Sequence, residues 1–161
     1  MGLEVELRQA PVYDLARDRG RYDLVFFLGV LYHLRYPLLA LDLLAEKTRR
    51  LLALQTLTMP GDGGGTPADL PFDERERLRQ PRWPKAAFVE HSLAGDATHW
   101  WVPDEACVEA MARSAGLEVV ERPGHELWLY RPIGERADRA ELHAATGCDV
   151  SDRDIAAKPV A

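Results

Sequence analysis

The run YDLVFFLGVLYHLRYPLLALDLL, residues 22–44, constrains the fold more than any other stretch of the chain. Tyr22 to Leu28 is a continuous apolar segment bounded by Gly20 and Gly29, which predicts a strand covered on both faces, a central strand of a parallel sheet. Pro37 then stands where a first helical turn accepts it. Leu38 to Arg50 is rich in Leu and Ala, with Asp42, Glu46 and Arg50 spaced as one polar stripe, so a covering helix is expected. Leu51 to Thr58, LLALQTLT, predicts a second core strand. Strand, helix and strand in that order predict a right-handed parallel crossover.

The flanks extend this α/β pattern. Leu3, Val5 and Leu7 alternate with Glu4, Glu6 and Arg8, which predicts a first strand ended by Pro11. From 59 to 102 the chain turns rich in Pro and Gly and holds Trp83, Trp100 and Trp101, the composition of a long inserted loop or lid with at most a short helix around Asp73 to Arg79. Regular structure resumes at Pro103. Asp104 and Glu105 suit a helix N-terminus, Cys107, Val108, Met111 and Ala115 its apolar side, and Gly116 the position just past its end. LEVVERPGHELWLYRP predicts an antiparallel hairpin of strands 117–122 and 126–131 joined by Pro123-Gly124. The domain is thus expected over 1–132, with 133–161 as a tail, weakly helical from Glu135 to Ala145 and frayed beyond.

Bulk properties exclude several classes. The 161 residues fit one domain, and 20 basic against 26 acidic side chains give a formal charge of −6, which leaves no whole-domain footprint for coating nucleic acid. Cys107 and Cys148 lack the spacing of a disulfide framework or a structural zinc site. The longest uncharged run, Leu24 to Leu34, is far below a membrane span, and Glu4 and Glu6 stand where a secretory signal would be basic. A soluble, cytoplasmic protein with no membrane partner is expected.

Few motifs carry chemistry on their own. GDGGG at 61–65 follows a strand, yet no Gly-Lys-Ser/Thr is present and Pro67 and Pro71 prevent a helix from opening behind it; it reads as a hinge, with ligand contact as the minor alternative. Histidines 33, 91, 99, 125 and 143 show no i,i+4 ligand pair, so no metal is expected. No Gly-x-Ser-x-Gly elbow occurs. Cys107, flanked by Glu105 and Glu109, is not an activated thiol. In an open α/β sheet, ligands bind beyond the carboxyl ends of the strands, so Tyr13-Asp14 and Leu28 to His33 are expected to face one crevice.

The pattern [FY]-D-x-V-x-x-x-G-V-L-Y-H, Tyr22 to His33, resembles the fourth strand and following turn of class I S-adenosylmethionine-dependent methyltransferases. The resemblance is to the branch that includes the tRNA wobble-uridine carboxymethyl-transferring enzyme and its uncharacterised relatives. EVELRQAPVYDL is similar to that family's third strand and adenine-edge turn. DATHWWVPDEACVEAMARSAGLEVVERP, 96–123, is similar to its substrate-side loop, last helix and sixth strand. The resemblance implies a partial Rossmann-like sheet, with central parallel strands, a C-terminal antiparallel hairpin and a long inserted loop. It implies S-adenosyl-L-methionine as cofactor, with Tyr13, Asp14, Leu28, Gly29 and Tyr32 lining it. Leu28 has core packing as its plainer role, Tyr32 a surface position, and Gly29 strand termination.

Methyl transfer needs an acceptor held in line with the sulfonium methyl, water excluded, and a base where the acceptor loses a proton. His33 and Asp96 are the candidate catalytic residues. His99, Trp100 and Trp101 are candidates for the substrate wall, with plain anchoring of the loop as the alternative for the tryptophans. Arg35, Arg79, Arg82 and Lys85 are candidates for an anionic substrate or a tRNA backbone.

The acidic-plus-glycine strand-turn that opens this family's fold is not found, so the chain reads as a truncated domain beginning at the third strand. In the family's order, 3-2-1-4-5-7-6, the strand at Tyr22 to Leu28 would then be an apolar edge. A homodimer across that edge, or Leu3 to Arg8 moving in to pair with it, would cover it. The expected function is methyl transfer to an oxygen or nitrogen of a small molecule. The alternatives are tRNA wobble-uridine (carboxy)methylation and a non-catalytic module that keeps the fold.

Overall fold

The computed structural model describes residues 4–63, 66–67 and 69–134. Strand β1, Tyr22–Leu28, forms where the apolar run predicts it. Helix α1, Pro37–Lys47, carries Pro at its first turn and buries Ala40, Leu41, Leu43 and Leu44. Strand β2, Thr48–Gln55, pairs parallel with β1 and starts earlier than the sequence reading placed it, so Arg50 leaves the expected helical stripe. The cause is local. Thr48 is β-branched, and its hydroxyl closes the helix on the Leu44 carbonyl at 2.7 Å, while the Lys47 ammonium turns back to the Asp18 carbonyl.

After the insertion come β3, Ala86–Phe88, β4, Trp101–Pro103, α2, Glu105–Ser114, β5, Leu117–Gly124, and β6, Leu127–Pro132. The Asp104 carboxylate caps α2 by accepting from the Cys107 amide at 2.7 Å, and Gly116 past its end takes φ +78°, open to glycine at no steric cost. The main sheet runs β1-β2-β6-β5, with β6 antiparallel to both neighbours. This is the 4-5-7-6 half of the order expected from the resemblance.

Three expectations are corrected. Glu4 to Ala10 form no strand, and Leu7 is 92% exposed: an isolated segment has no ladder for its amides, and none pairs with it. β1 is the edge strand of the sheet, as expected of a domain beginning at the family's third strand, but it is not covered on both faces. Val25 and Phe27 lie on the covered side with Leu52, Leu54, Trp128 and Tyr130, packed under α1 and α2. Leu24, Phe26 and Leu28 lie on the other side, 49–66% exposed, beside Leu51, Ala53, Leu127 and Leu129. The hairpin turns at His125-Glu126, not at Pro123-Gly124. Glu126, at φ +60°, accepts from the Thr58 hydroxyl at 3.0 Å and from its amide, and so ties the turn to the end of β2.

The insertion is also less irregular than expected. The short helix expected around Asp73 to Arg79 forms as a 3-10 segment, Phe72–Arg79, and the unexpected element is the antiparallel pair β3–β4. At Gly61 the backbone passes so close to Asp104 that a Cβ would meet the Asp104 Cβ at 2.7 Å, and the Met59 amide donates to the Pro103 carbonyl; Gly64 and Gly65 of the expected hinge lie outside the described residues. The expected tail helix, Glu135 to Ala145, lies outside the described residues, as does Cys148.

Candidate active site

β1 delivers the chain to its carboxyl end at Leu28. Gly29 takes φ +71° and donates its amide to the Gln55 carbonyl at 3.0 Å, so a left-handed turn, which glycine adopts freely, ends the strand there. The following 3-10 turn, Leu31–His33, anchors itself by burying Leu31 and leaves Tyr32 and His33 partly exposed. The Trp100 amide donates to the Tyr32 carbonyl at 2.9 Å and stitches the insertion onto the strand end. The Arg35 guanidinium lies 4.8 Å over the Trp100 ring, a cation–π contact that holds a charge at this mouth.

The insertion reaches the site by a tight turn. Leu93 and Asp96 exchange backbone hydrogen bonds, and Ala94 and Gly95 between them both have positive φ, the signature of a two-residue hairpin turn. Asp96 is thereby fixed. One of its carboxylate oxygens, Oδ1, accepts from the Thr98 hydroxyl at 2.6 Å and from the Thr98 amide at 2.8 Å. The hydroxyl first and the amide second hold the Asp96 carboxyl below its ordinary range, so it is ionised.

His33 Nδ1 lies 2.8 Å from the same hydroxyl and 3.3 Å from the Thr98 carbonyl. A carboxylate only accepts, so the hydroxyl proton goes to Asp96, and the hydroxyl oxygen and the carbonyl both accept from His33 Nδ1–H. The neutral imidazole then carries its lone pair on Nε2. His99 stacks on Tyr32 with centroids 5.1 Å apart and planes 12° apart, lies 4.8 Å from the His33 ring, and places Nδ1 3.5 Å from Asp96 Oδ2.

Thus Tyr32, His33, Asp96, His99 and Trp100 come together at one strand end. Trp101 sits beside them. It packs edge-on against Phe88 at 4.9 Å and lines an apolar recess of about 540 Å³ together with Tyr32, Arg35, Leu38, Cys107 and Met111. Tyr13, on the 3-10 segment Val12–Arg17, meets Tyr36, whose amide donates to its hydroxyl at 3.1 Å. Asp14, in the same segment, is half exposed 3.6 Å from Arg17 and is not part of the cluster. Arg79 and Lys85 are engaged with Glu76 and the Arg79 carbonyl. Burial, and then the Asp104 charge, push the Cys107 thiol up to about 11, so it is inert at neutral pH.

Sequence reasoning missed Thr98 and the approach of His99 to His33, which lie far apart in the chain. The signal available was the D-x-T spacing of an Asx-type turn at Asp96 to Thr98.

The sheet order and the site at its carboxyl edge define a partial class I methyltransferase-like fold. An O-methyltransferase family protein from Burkholderia thailandensis is similar in structure, with a TM-score of 0.50 and 20% identity over 81% of this chain and 36% of that one. The N-terminal domain of EvdMO1, crystallised with SAH, scores 0.45 at 25% identity, covering 80% of this chain and 54% of that chain. A curated protein, the tRNA U34 carboxymethyltransferase of Syntrophotalea carbinolica, is 31% identical over 118 residues. That match takes in 72% of this chain, which spans 29% of the relative's length. No protein-family model matches the chain. Among the described residues, no helix is long and apolar enough to cross a membrane.

Proposed function

We propose that this chain supplies the acceptor side and adenine edge of an S-adenosyl-L-methionine-dependent methyltransferase acting on an oxygen or nitrogen of a small molecule. The observation that carries this reading is the hydrogen-bonded chain from Asp96 through Thr98 to His33, held at the carboxyl end of β1 where an open α/β sheet binds ligands. His33 Nε2 takes the acceptor's proton, while Thr98 and Asp96 fix the tautomer and the ring's orientation. The recess beside Tyr32 and Trp101 suits an apolar acceptor body, with Arg35 as its cation among the described residues. Tyr13, Asp14, Leu28, Gly29 and Tyr32 are the proposed cofactor contacts, Asp14 accepting from the adenine amino group. His99, Trp100 and Trp101 form the proposed substrate wall.

A second reading, tRNA wobble-uridine modification, rests on the 31% identity to the carboxymethyltransferase. It requires tRNA binding that weakens steeply with salt. The open edge of β1 is the proposed contact for a second copy of the chain. Methyl transfer from labelled cofactor to candidate small-molecule acceptors tests the leading reading. His33→Ala is expected to lower turnover about 10²–10⁴-fold, the usual contribution of a general base. Unchanged turnover in that variant removes His33 from the mechanism.

A further inference from the structure

We propose that His33, Asp96 and His99 form a binding site for a divalent transition-metal ion of the zinc class. One ring nitrogen of each histidine and one carboxylate oxygen lie within 4.8 Å of one another, although the residues come from two segments distant in sequence. Around a zinc-sized ion with bonds of about 2.0–2.2 Å, neighbouring ligand atoms stand roughly 3.0–3.6 Å apart. His99 Nδ1 lies 3.3 Å from the Asp96 carbonyl and 3.5 Å from Asp96 Oδ2, so its ring is already held against Asp96. Closing the remainder needs side-chain adjustments of about an ångström, and all three residues are partly exposed.

The surroundings match what a metal histidine requires. A ligating imidazole commonly donates its other ring N–H to an oxygen, which fixes tautomer and orientation. His33 Nδ1–H does this to Thr98, leaving Nε2 as the lone-pair nitrogen. Thr98 also occupies Asp96 Oδ1 and leaves Oδ2 as the ligand oxygen. Two imidazoles and one carboxylate suit zinc, cobalt, nickel or ferrous iron, and not magnesium or calcium, which take all-oxygen sets. With three protein ligands the ion keeps open positions for an acceptor hydroxyl, which it would polarise as a Lewis acid in place of the free imidazole.

The inference concerns the cluster already assigned to the acceptor, but it rests on that cluster's geometry, and its readout needs neither cofactor nor turnover. The test is isothermal titration of the untagged chain with Zn²⁺ alone and, separately, with Mg²⁺ alone. One Zn²⁺ per chain is expected, with Mg²⁺ giving no saturable heat. His33→Ala, Asp96→Asn and His99→Ala should each weaken Zn²⁺ binding at least tenfold, while His91→Ala leaves it unchanged. Co²⁺ should give a visible ligand-field spectrum that His99→Ala abolishes, read on samples whose circular dichroism matches the parent. Absence of saturable Zn²⁺ binding, or binding that survives both histidine substitutions, overturns the proposal and leaves the methyltransferase reading to its own test.

Discussion

The two faces of the main sheet are built from the same kinds of residue and end in opposite environments. On one, Phe27, Leu52, Leu54, Trp128 and Tyr130 are buried to 6% exposure or less beneath α1 and α2. On the other, Leu24, Phe26 and Leu28 of β1 remain half to two-thirds exposed. Both helices follow their strands onto one side, and no described element packs on the other. The lesson is that apolar strand sequence reports the potential for burial, while connectivity decides which face receives it. The candidate cluster lies at the carboxyl end of the same sheet, where β1 meets the insertion.

The sharpest way to break this comparison is to truncate one residue on each face. Trp128→Ala should cost about 3–5 kcal/mol, because it empties a fully buried site. Phe26→Ala should change chain stability by less than about 1 kcal/mol, since its ring is 66% exposed. Denaturant titration of both variants, at a concentration where the chain is monomeric, reads the difference, and equal losses would contradict the contrast between the two faces. Asp104→Ala comes next, at about 1–2 kcal/mol, because its carboxylate caps α2 at Cys107 and holds the Lys85 amide at 3.2 Å in a buried position.

Self-association sharpens the open face itself. Sedimentation of the parent chain should show concentration-dependent dimer, and the pair Leu24→Lys with Phe26→Lys should return monomer by placing charge on that surface. A parent that stays monomeric at every concentration would refute pairing through this edge. The smallest expected effect is on pH dependence. The Asp18 carboxyl is held below its ordinary value first by the Tyr22 hydroxyl at 2.6 Å and then by the Gly20 amide. Its contribution is present above the ordinary carboxyl value and is lost as pH falls through the lower folded value. Tyr22→Phe should therefore cost under about 1 kcal/mol at neutral pH, a difference that vanishes in strong acid.

The sequence made local features legible and long-range ones obscure. Tyr22 to Leu28, the Pro37 helix start, the Asp104 cap and the Gly116 stop are all set by near neighbours, and each stands where the pattern places it. The failures are those of partners. Leu3 to Arg8 alternate as a strand does, but alternation supplies no neighbouring ladder. Pro123-Gly124 is a good turn signal, yet the chain turns two residues later because Glu126 is tied to Thr58 across the sheet. In the site, Tyr32, His33, Asp96, His99 and Trp100 were each named from the sequence. What was not legible was the Thr98 hydroxyl joining two of them, because it depends on the Trp100 amide meeting the Tyr32 carbonyl.

The central claim is that the carboxyl edge of this sheet binds the methyl-donor cofactor. Isothermal titration of the chain with S-adenosylhomocysteine tests it most directly. The account predicts saturable binding that Asp14→Ala weakens about tenfold, the scale of one hydrogen bond to a charged group. No saturable binding, or binding indifferent to Asp14→Ala, Tyr13→Ala and Leu28→Ala alike, would contradict it.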